Sequence, residues 1–253
     1  MSTLHFVGAG LGDEESLSRR AWRLLEGCQV LFAEQYTSLL DAGAIERLAK
    51  GLGRPIHTLG RDEVEAGHEI LSALDRGSSV ALLVAGDPFA ATTHVALRVE
   101  VEGRGHDWTY TPNASILTAA ASYLGLMHYR FGRVVSVPFP APGFLPRSPQ
   151  EALLRNRESG LHTLVLLDLD PSGGRFLAPQ DALRMLEAGE PHPNLGDSVA
   201  VVARVGRPDV GAWVGPTRSL ARIDFGPPLH TIIVPAPELH FAEEAAVRRF
   251  RVP

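Results

Sequence analysis

Residues 80–94 read Val80-Ala81-Leu82-Leu83-Val84-Ala85-Gly86-Asp87-Pro88-Phe89-Ala90-Ala91-Thr92-Thr93-His94. The first six residues form a continuous apolar run, which is typical of a strand buried on both faces of a parallel sheet. Small, acidic and hydroxylated residues follow at the point where that strand should leave the sheet. In open α/β sheets, ligands bind outside the carboxyl ends of the strands. The stretch therefore predicts both a fold class and the position of a binding site.

Asp87 has two interpretations at this stage. An Asp followed by a Pro is typical of a helix start, with Asp as the N-cap and Pro at the first helical position. A carboxylate at a strand end can equally contact a ligand. The hydroxyls of Thr92 and Thr93 could likewise satisfy only nearby backbone groups. The residues alone leave the structural and the functional interpretation equally open.

Apolar runs alternate with helical patterns through the first part of the chain. The predicted strands are 4–7, 30–33, 55–59, 80–85 and 108–111, and the predicted helices are 17–28, 45–52, 64–74 and 95–101. This alternation predicts a mainly parallel sheet covered by helices, with right-handed crossovers.

The second part of the chain is less regular. A new helix is predicted over 112–126, followed by strands at 134–140, 163–169, 199–205 and 231–234 and helices at 150–159, 179–188 and 238–250. Because strands and helices no longer alternate strictly, a mixed sheet is predicted. We therefore expect an N-terminal α/β domain over 1–112 and a C-terminal α/β domain over 113–253. The proline-rich segment 141–149 is predicted to be a loop, which is either mobile or made rigid by its prolines.

The composition is that of an ordinary globular protein. Of the 253 residues, 45% are hydrophobic and 21% charged, and Cys28 is the only cysteine. One cysteine cannot form an intramolecular disulfide, which fits a reducing cytoplasm. The net charge of −5 gives no hint of a nucleic-acid surface. No signal-peptide pattern and no run of about 20 apolar residues is present, so we expect a cytoplasmic protein without membrane contact.

The common catalytic motifs are weak or missing. Gly8-Ala9-Gly10-Leu11-Gly12 follows a predicted strand, but its glycine spacing differs from the dinucleotide fingerprint. None of the ten histidines has the spacing of a metal site, so no metal is expected. Neither a nucleophile elbow nor a phosphate-binding P-loop sequence occurs.

Several segments together carry a resemblance to a known family. They are Val7-Gly8-Ala9-Gly10-Leu11-Gly12-Asp13-Glu14, Ala33-Glu34-Gln35-Tyr36-Thr37-Ser38, Gly86 to His94, Asn113-Ala114-Ser115-Ile116, Asn156-Arg157-Glu158-Ser159-Gly160-Leu161-His162-Thr163 and Ile223-Asp224-Phe225-Gly226-Pro227-Pro228-Leu229-His230. On these segments the chain resembles, nearly end to end, the tetrapyrrole methylase family of S-adenosylmethionine-dependent methyltransferases. The Tyr-Thr-Ser, Ala-Thr-Thr-His and Gly-Leu-His-Thr segments resemble the diphthine branch of that family.

The resemblance implies a fold, a cofactor and a set of contacts. It implies two α/β domains with S-adenosyl-L-methionine bound in the cleft between them, S-adenosyl-L-homocysteine as the product, and a homodimer. Carried over residue by residue, the cofactor contacts are Leu11, Asp87, Ala90, Ser115, Ile116, Leu166, Val205 and His230. Many are apolar, which suits an adenosine group held by shape and a few polar contacts. No catalytic residue is assigned.

The resemblance also implies a protein partner. The diphthine branch methylates the amino group of a 3-amino-3-carboxypropyl-histidine on translation elongation factor 2. Two alternatives stay open: a methyltransferase of the same fold that acts on a tetrapyrrole or on ribosomal RNA, and a cofactor-binding module without turnover. The acidic net charge argues mildly against RNA.

Overall fold

The apolar run at residues 80–85 is the central strand of a parallel sheet. The computed structural model describes residues 2–141 and 146–253. Its first sheet contains β1 (Thr3–Gly10), β2 (Val30–Glu34), β3 (His57–Leu59), β4 (Val80–Ala85) and β5 (Asp107–Thr111). The strand order is β3-β2-β4-β1-β5, and every pairing is parallel. The predicted parallel sheet is confirmed.

Helices cover both faces of this sheet. They are α1 (Arg19–Gly27), α2 (Ala44–Leu52), α3 (Arg61–Ala66), α4 (His68–Asp75) and α5 (His94–Gly103). Successive side chains of a strand point to opposite faces. Val80, Leu82 and Val84 accordingly share an apolar cluster with residues of α3, α4 and α5. Ala81 and Leu83 pack in a second cluster with α1 and α2. Both faces are apolar because both are covered.

A second sheet forms from the later part of the chain. Its strands are β6 (Val135–Val137), β7 (Thr163–Leu167), β10 (Val199–Ala203), β11 (Gly211–Gly215) and β12 (His230–Val234), in the order β11-β10-β12-β7-β6. Only β6 and β7 pair in parallel, so the predicted mixed sheet is confirmed. The short strands β8 (Leu169–Asp170) and β9 (Arg175–Phe176) pair separately.

The remaining helices belong to the later part of the chain. They are α6 (Ile116–Leu124), α7 (Ser148–Glu158), α8 (Pro179–Ala188), α9 (Thr217–Leu220) and α10 (Phe241–Val247). The chain divides into two compact units, Met1–Ile116 and Leu117–Pro253. The domain boundary after residue 112 stays a prediction. Over the ranges that the structure describes, no helix combines the length and apolarity needed to cross a membrane.

Some predicted elements differ from the structure. The single helix expected over 64–74 is two helices, α3 and α4, because Gly67 between them adopts a left-handed φ of 66°. The helix expected from residue 112 begins only at Ile116. Within the segment 141–149, residues 142–145 lie outside the described ranges, and α7 already begins at Ser148. Strand β11 was missed because Gly211 and Gly215 shorten its apolar pattern.

A buried histidine and glutamate connect α10 to the start of β7. His162 Nε2 lies 3.0 Å from Glu243 Oε1, while the N–H of Ala236 donates to His162 Nδ1 at 2.8 Å. Since Nδ1 accepts, Nε2 carries the hydrogen and His162 is neutral. Glu243 also accepts the N–H groups of Met127 and His240 and the guanidinium of Arg130. Both side chains are fully buried.

The surroundings of this pair shift both pKa values downward. Burial lowers the pKa of His162. Protonation of Nδ1 would also place its N–H opposite the N–H of Ala236, which now donates to it. Burial alone would raise the pKa of Glu243. The hydrogen bonds that Glu243 accepts from Met127, His240 and His162 outweigh burial, so its pKa lies below the usual value. The folded protein therefore holds this pair as a neutral imidazole and a carboxylate.

We expect this pair to make stability fall with decreasing pH. A histidine whose pKa is lowered by folding stabilises the protein fully above about pH 6.5, and that contribution is lost as the unfolded state takes up the proton. One such group gives a slope of at most ~1.4 kcal/mol per pH unit. Urea unfolding of the wild type and of His162→Gln between pH 7 and 5 should show a shallower slope for the variant. Parallel slopes would contradict this account.

Candidate cofactor site

The carboxyl ends of β1 and β4 are joined by two glycines. The N–H of Gly10 donates to the carbonyl of Gly86 at 3.1 Å, and the N–H of Gly86 donates to the carbonyl of Gly10 at 2.7 Å. Both residues have φ of 77°, a left-handed conformation that glycine adopts without strain. The junction thus explains why a glycine is needed at residue 10, in the glycine-rich turn after the first strand.

Asn113 is packed against the same junction. Its Nδ2 donates to the carbonyl of Gly8 at 3.0 Å and to that of Ser16 at 3.1 Å. A Cβ on Gly8 would lie 2.8 Å from both Asn113 Cβ and the Gly86 carbonyl oxygen. The side chain of Asn113 thus fixes the segment before α6 against the end of β1. The sequence suggested no such role, because Gly8 and Asn113 are 105 residues apart.

Asp87 caps a turn and not a helix. Its Oδ1 accepts the N–H of Phe89 at 3.0 Å, and its backbone carbonyl accepts the N–H of Ala90 at 3.2 Å. The helical turn stops there because Ala91 has φ of 56°, and α5 begins only at His94. The N-cap interpretation was therefore wrong. Asp87 is instead fixed within an Asx-type turn that follows β4.

The second oxygen of Asp87 is also engaged. Oδ2 accepts the hydroxyl of Tyr110 at 2.5 Å. Burial first, and then the Asp87 carboxylate, raises the pKa of Tyr110 to about 12, so this phenol stays a donor. A carboxylate can accept roughly four hydrogen bonds. Asp87 is thus held in one orientation and can still accept hydrogen bonds from a ligand. The sequence did not reveal Tyr110 as its partner.

Five of the predicted contacts lie around one end of the first sheet. Leu11 follows β1, Asp87 and Ala90 follow β4, and Ser115 and Ile116 follow β5. All five are half-buried. The parallel strands bring these carboxyl ends to the same edge, as expected for a ligand site in an open α/β sheet.

The other three predicted contacts lie at one end of the strands of the second sheet. His230 is the first residue of β12 and pairs with Ala203 at the end of β10, just before Val205. Thr231 pairs with Leu166, near the end of β7. Since β12 runs antiparallel to both neighbours, its start meets their carboxyl ends. All three predicted residues are half-buried.

Arg204 shapes the loop that leads to His230. Its guanidinium donates to the carbonyls of Phe225 and Pro227 and lies 2.7 Å from Asp209 Oδ2. Its own N–H donates to the carbonyl of Leu229 at 2.9 Å. The charge at the end of an apolar run is thus satisfied by four backbone or acidic partners. The sequence showed that Arg204 needed partners but not which ones.

His230 is electrostatically neutral in this setting. Burial is the main cause that lowers its pKa, and the nearby Arg204 guanidinium acts in the same direction. Its Nε2 lies 3.4 Å from the carbonyl oxygen of Phe225. At neutral pH the ring is therefore an uncharged group that can exchange hydrogen bonds and present an aromatic face.

A second buried cluster links residues 33–38 to residues 91–94. His94 Nδ1 lies 2.7 Å from the Pro88 carbonyl, which only a donor can satisfy, so Nε2 accepts the hydroxyl of Tyr36 at 3.2 Å. Glu34 accepts the N–H groups of Tyr36 and Thr37. Burial is the main cause that raises the pKa of Tyr36 to about 12. The two segments are therefore held together by the hydrogen bond between Tyr36 and His94.

The residues at the end of the first sheet leave room for part of a ligand. The side chains of Leu11 and Ile116 are only half-buried, so their apolar surface is open to an adenine or ribose ring. A Cβ on Gly86 would find only the Ala114 carbonyl, at 3.8 Å, so a ligand can approach this backbone closely. Asp87 supplies a negative charge suited to hydroxyl, ammonium or sulfonium groups.

Comparison with known proteins identifies the family. The family model described as Tetrapyrrole (Corrin/Porphyrin) Methylases matches residues 3–221. The chain belongs to the tetrapyrrole methylases. Within that family it lies among the diphthine synthases, as the resemblance predicted, and it is an S-adenosylmethionine-dependent methyltransferase.

Individual relatives match almost the whole chain. The diphthine synthase of Methanocorpusculum labreanum is 39% identical over 98% of each chain. That of Methanothermobacter thermautotrophicus is 37% identical over 95% of this chain and 92% of its own length. A crystal structure of diphthine synthase superposes with a TM-score of 0.87 at 33% identity, covering 99% of this chain and 96% of the other. The predicted fold class of the tetrapyrrole methylases is confirmed.

The glycine junction should tolerate no side chain at residue 8. We expect Gly8→Ala to lower the free energy of unfolding by about 1–3 kcal/mol, because the new Cβ meets the Gly86 carbonyl and Asn113. Gly27→Ala is the matched control, since a Cβ there meets nothing within 4 Å. Chemical denaturation of both variants tests this expectation. Equal stabilities of the two would show that the junction relaxes freely.

Proposed function

We propose that this methyltransferase acts on the amino group of a 3-amino-3-carboxypropyl-histidine of translation elongation factor 2, giving diphthine by repeated methylation. The observation that carries the proposal is the match to diphthine synthases over 98% of both chains. The bond between Tyr36 and His94 supports it, because it connects two segments on which the diphthine resemblance rests. The reaction is a step of diphthamide biosynthesis.

We further propose that Leu11, Asp87, Ala90, Ser115, Ile116, Leu166, Val205 and His230 contact the cofactor. S-adenosylmethionine supplies a methyl group bound to a positively charged sulfur, which is already a strong electrophile. The chain's own task is therefore binding and alignment. Asp87, fixed by Phe89 and Tyr110, offers carboxylate oxygens without having to reorient. Neutral His230 adds a ring face and a hydrogen-bonding nitrogen.

The acceptor amine must be deprotonated before it can take a methyl group. An amine of this kind is mostly protonated in water near neutral pH. Partial burial of the amine, or a group in the enzyme that takes up its proton, would favour the reactive form. No residue is assigned as a general base.

The proposal includes the setting in which the enzyme works. We propose that it acts in the cytoplasm as a homodimer, with elongation factor 2 as its protein partner and S-adenosylhomocysteine as the product. We also propose that residues 1–112 and 113–253 are its two functional domains. The match along nearly the whole length of diphthine synthases supports each of these points.

Mass spectrometry of the protein substrate tests the proposed function directly. Elongation factor 2 carrying the unmethylated 3-amino-3-carboxypropyl group is incubated with enzyme and S-adenosylmethionine. We expect successive methyl additions on the modified histidine and none on elongation factor 2 that lacks the group. Methylation of ribosomal RNA or of a tetrapyrrole in parallel reactions, with elongation factor 2 unchanged, would refute the proposal.

Substitution of Asp87 tests the cofactor contacts. We expect Asp87→Ala to weaken S-adenosylhomocysteine binding at least about tenfold, since a charge-assisted hydrogen bond contributes about 1.5–3 kcal/mol. Isothermal titration calorimetry measures the affinity, and circular dichroism checks that the fold is intact. Tyr110→Phe is the comparison variant: it keeps the carboxylate and removes only the hydroxyl that holds Oδ2, so we expect a smaller loss of affinity than in Asp87→Ala. An unchanged affinity in Asp87→Ala would leave Asp87 with a turn-capping role alone.

A further inference from the structure

An open pocket in the first unit lies beside Tyr36 and is separate from the eight proposed cofactor contacts. Its volume is about 300 Å³, and its lining includes Tyr36, Val64, Glu65, Thr93, His94 and Leu97. This volume is at the lower end of the range for small-molecule sites. The pocket is connected to the turn that bears Asp87 through His94, whose Nδ1 donates to the Pro88 carbonyl.

The inside of the pocket combines an apolar floor with hydrogen-bond acceptors. Val64 and Leu97 are buried and belong to the apolar cluster beneath it. The hydroxyl of Tyr36 gives its hydrogen to His94, so toward any further partner its oxygen acts as an acceptor. Glu65 is exposed and has neither a hydrogen bond nor an ion pair within the described part of the chain. Such a wall suits a group that brings N–H donors.

Arg61, one helical turn before Glu65, lies next to a residue that lines the pocket. The guanidinium of Arg61 lies 5.2 Å from the centre of the Tyr36 ring, over its face. Opposite charges four residues apart on a helix usually pair. Among the described residues, however, neither Arg61 nor Glu65 forms an ion pair. Glu65 in the pocket lining and Arg61 beside Tyr36 are therefore an anion and a cation without an ion-pair partner among the described residues.

We propose that this pocket binds the α-amino-acid group of the protein substrate. Arg61 would bind the carboxylate, which a guanidinium contacts with two parallel hydrogen bonds, while Glu65 and the Tyr36 oxygen accept hydrogens from the amine. The inference rests on the proposed function, whose substrate carries an amine and a carboxylate on one carbon. It concerns recognition alone and assigns no proton transfer to either residue.

Charge-neutralising variants test this assignment. Arg61→Gln and Glu65→Gln each remove one charge from an exposed side chain, so the fold should be retained. Asp62→Asn is the matched control, since Asp62 is an exposed acid on the same helix that does not line the pocket. Methyl transfer to elongation factor 2 carrying the unmethylated group gives KM and kcat. Calorimetry with S-adenosylhomocysteine gives the cofactor affinity of each variant.

We expect both pocket variants to raise KM for the protein substrate about tenfold, the effect of losing roughly one charged contact. The affinity for S-adenosylhomocysteine should be unchanged, and Asp62→Asn should match the wild type. The wild type should also bind modified elongation factor 2 more tightly than the form lacking the group, a preference that the two variants lose.

The contrary results are distinct from one another. If the wild type transfers no methyl group to elongation factor 2, the proposed function itself fails. If the wild type is active and both variants keep its KM and its preference for the modified form, the pocket assignment is overturned while the function stands. Equal weakening toward modified and unmodified elongation factor 2 also overturns it, because general surface attraction would then explain the effect.

Discussion

The close approach of three backbone segments at the end of the first sheet is the constraint on which the rest of the first unit depends. Gly10 and Gly86 exchange hydrogen bonds, and Asn113 fills the space that a side chain on Gly8 would need. From this junction the chain leaves in three directions, each carrying predicted cofactor contacts. The junction thus brings residues that are distant in sequence together at the carboxyl ends of the strands, which is the general position of ligand sites in open α/β sheets.

Two histidines in the structure have fixed tautomers and different purposes. His94 donates through Nδ1 and accepts through Nε2, which joins the turn after β4 to Tyr36. His162 accepts through Nδ1 and donates to Glu243, which secures α10. Both occur in segments that resemble the diphthine branch. His94 lines a pocket, whereas His162 is fully buried against Glu243, so a distinctive sequence segment does not by itself indicate contact with a ligand.

Much of the fold could be predicted from local pattern. The regular alternation of apolar runs with helical patterns predicted the parallel sheet, and the loss of that alternation predicted the mixed sheet. Both predictions were possible because hydrophobic periodicity indicates which residues of a strand or helix are buried. The helix break at Gly67 and the end of the turn at Ala91 could not be predicted in the same way. They depend on single left-handed residues. The partners of Asp87, Asn113 and Arg204 were missed because hydrogen bonds between distant segments leave no trace in local spacing.

The short helix α3 has a consequence for how such an enzyme can diversify. It lies between Gly60, whose N–H is capped by Glu63, and Gly67, which stops the helix before α4. Only Val64 of this helix belongs to the buried core. Its exposed positions other than Glu63 can therefore be exchanged without disturbing the sheet or the glycine junction. The exposed face of this six-residue helix can change during evolution, and with it the preference for an acceptor group. The residues proposed to bind the methyl donor stay unchanged.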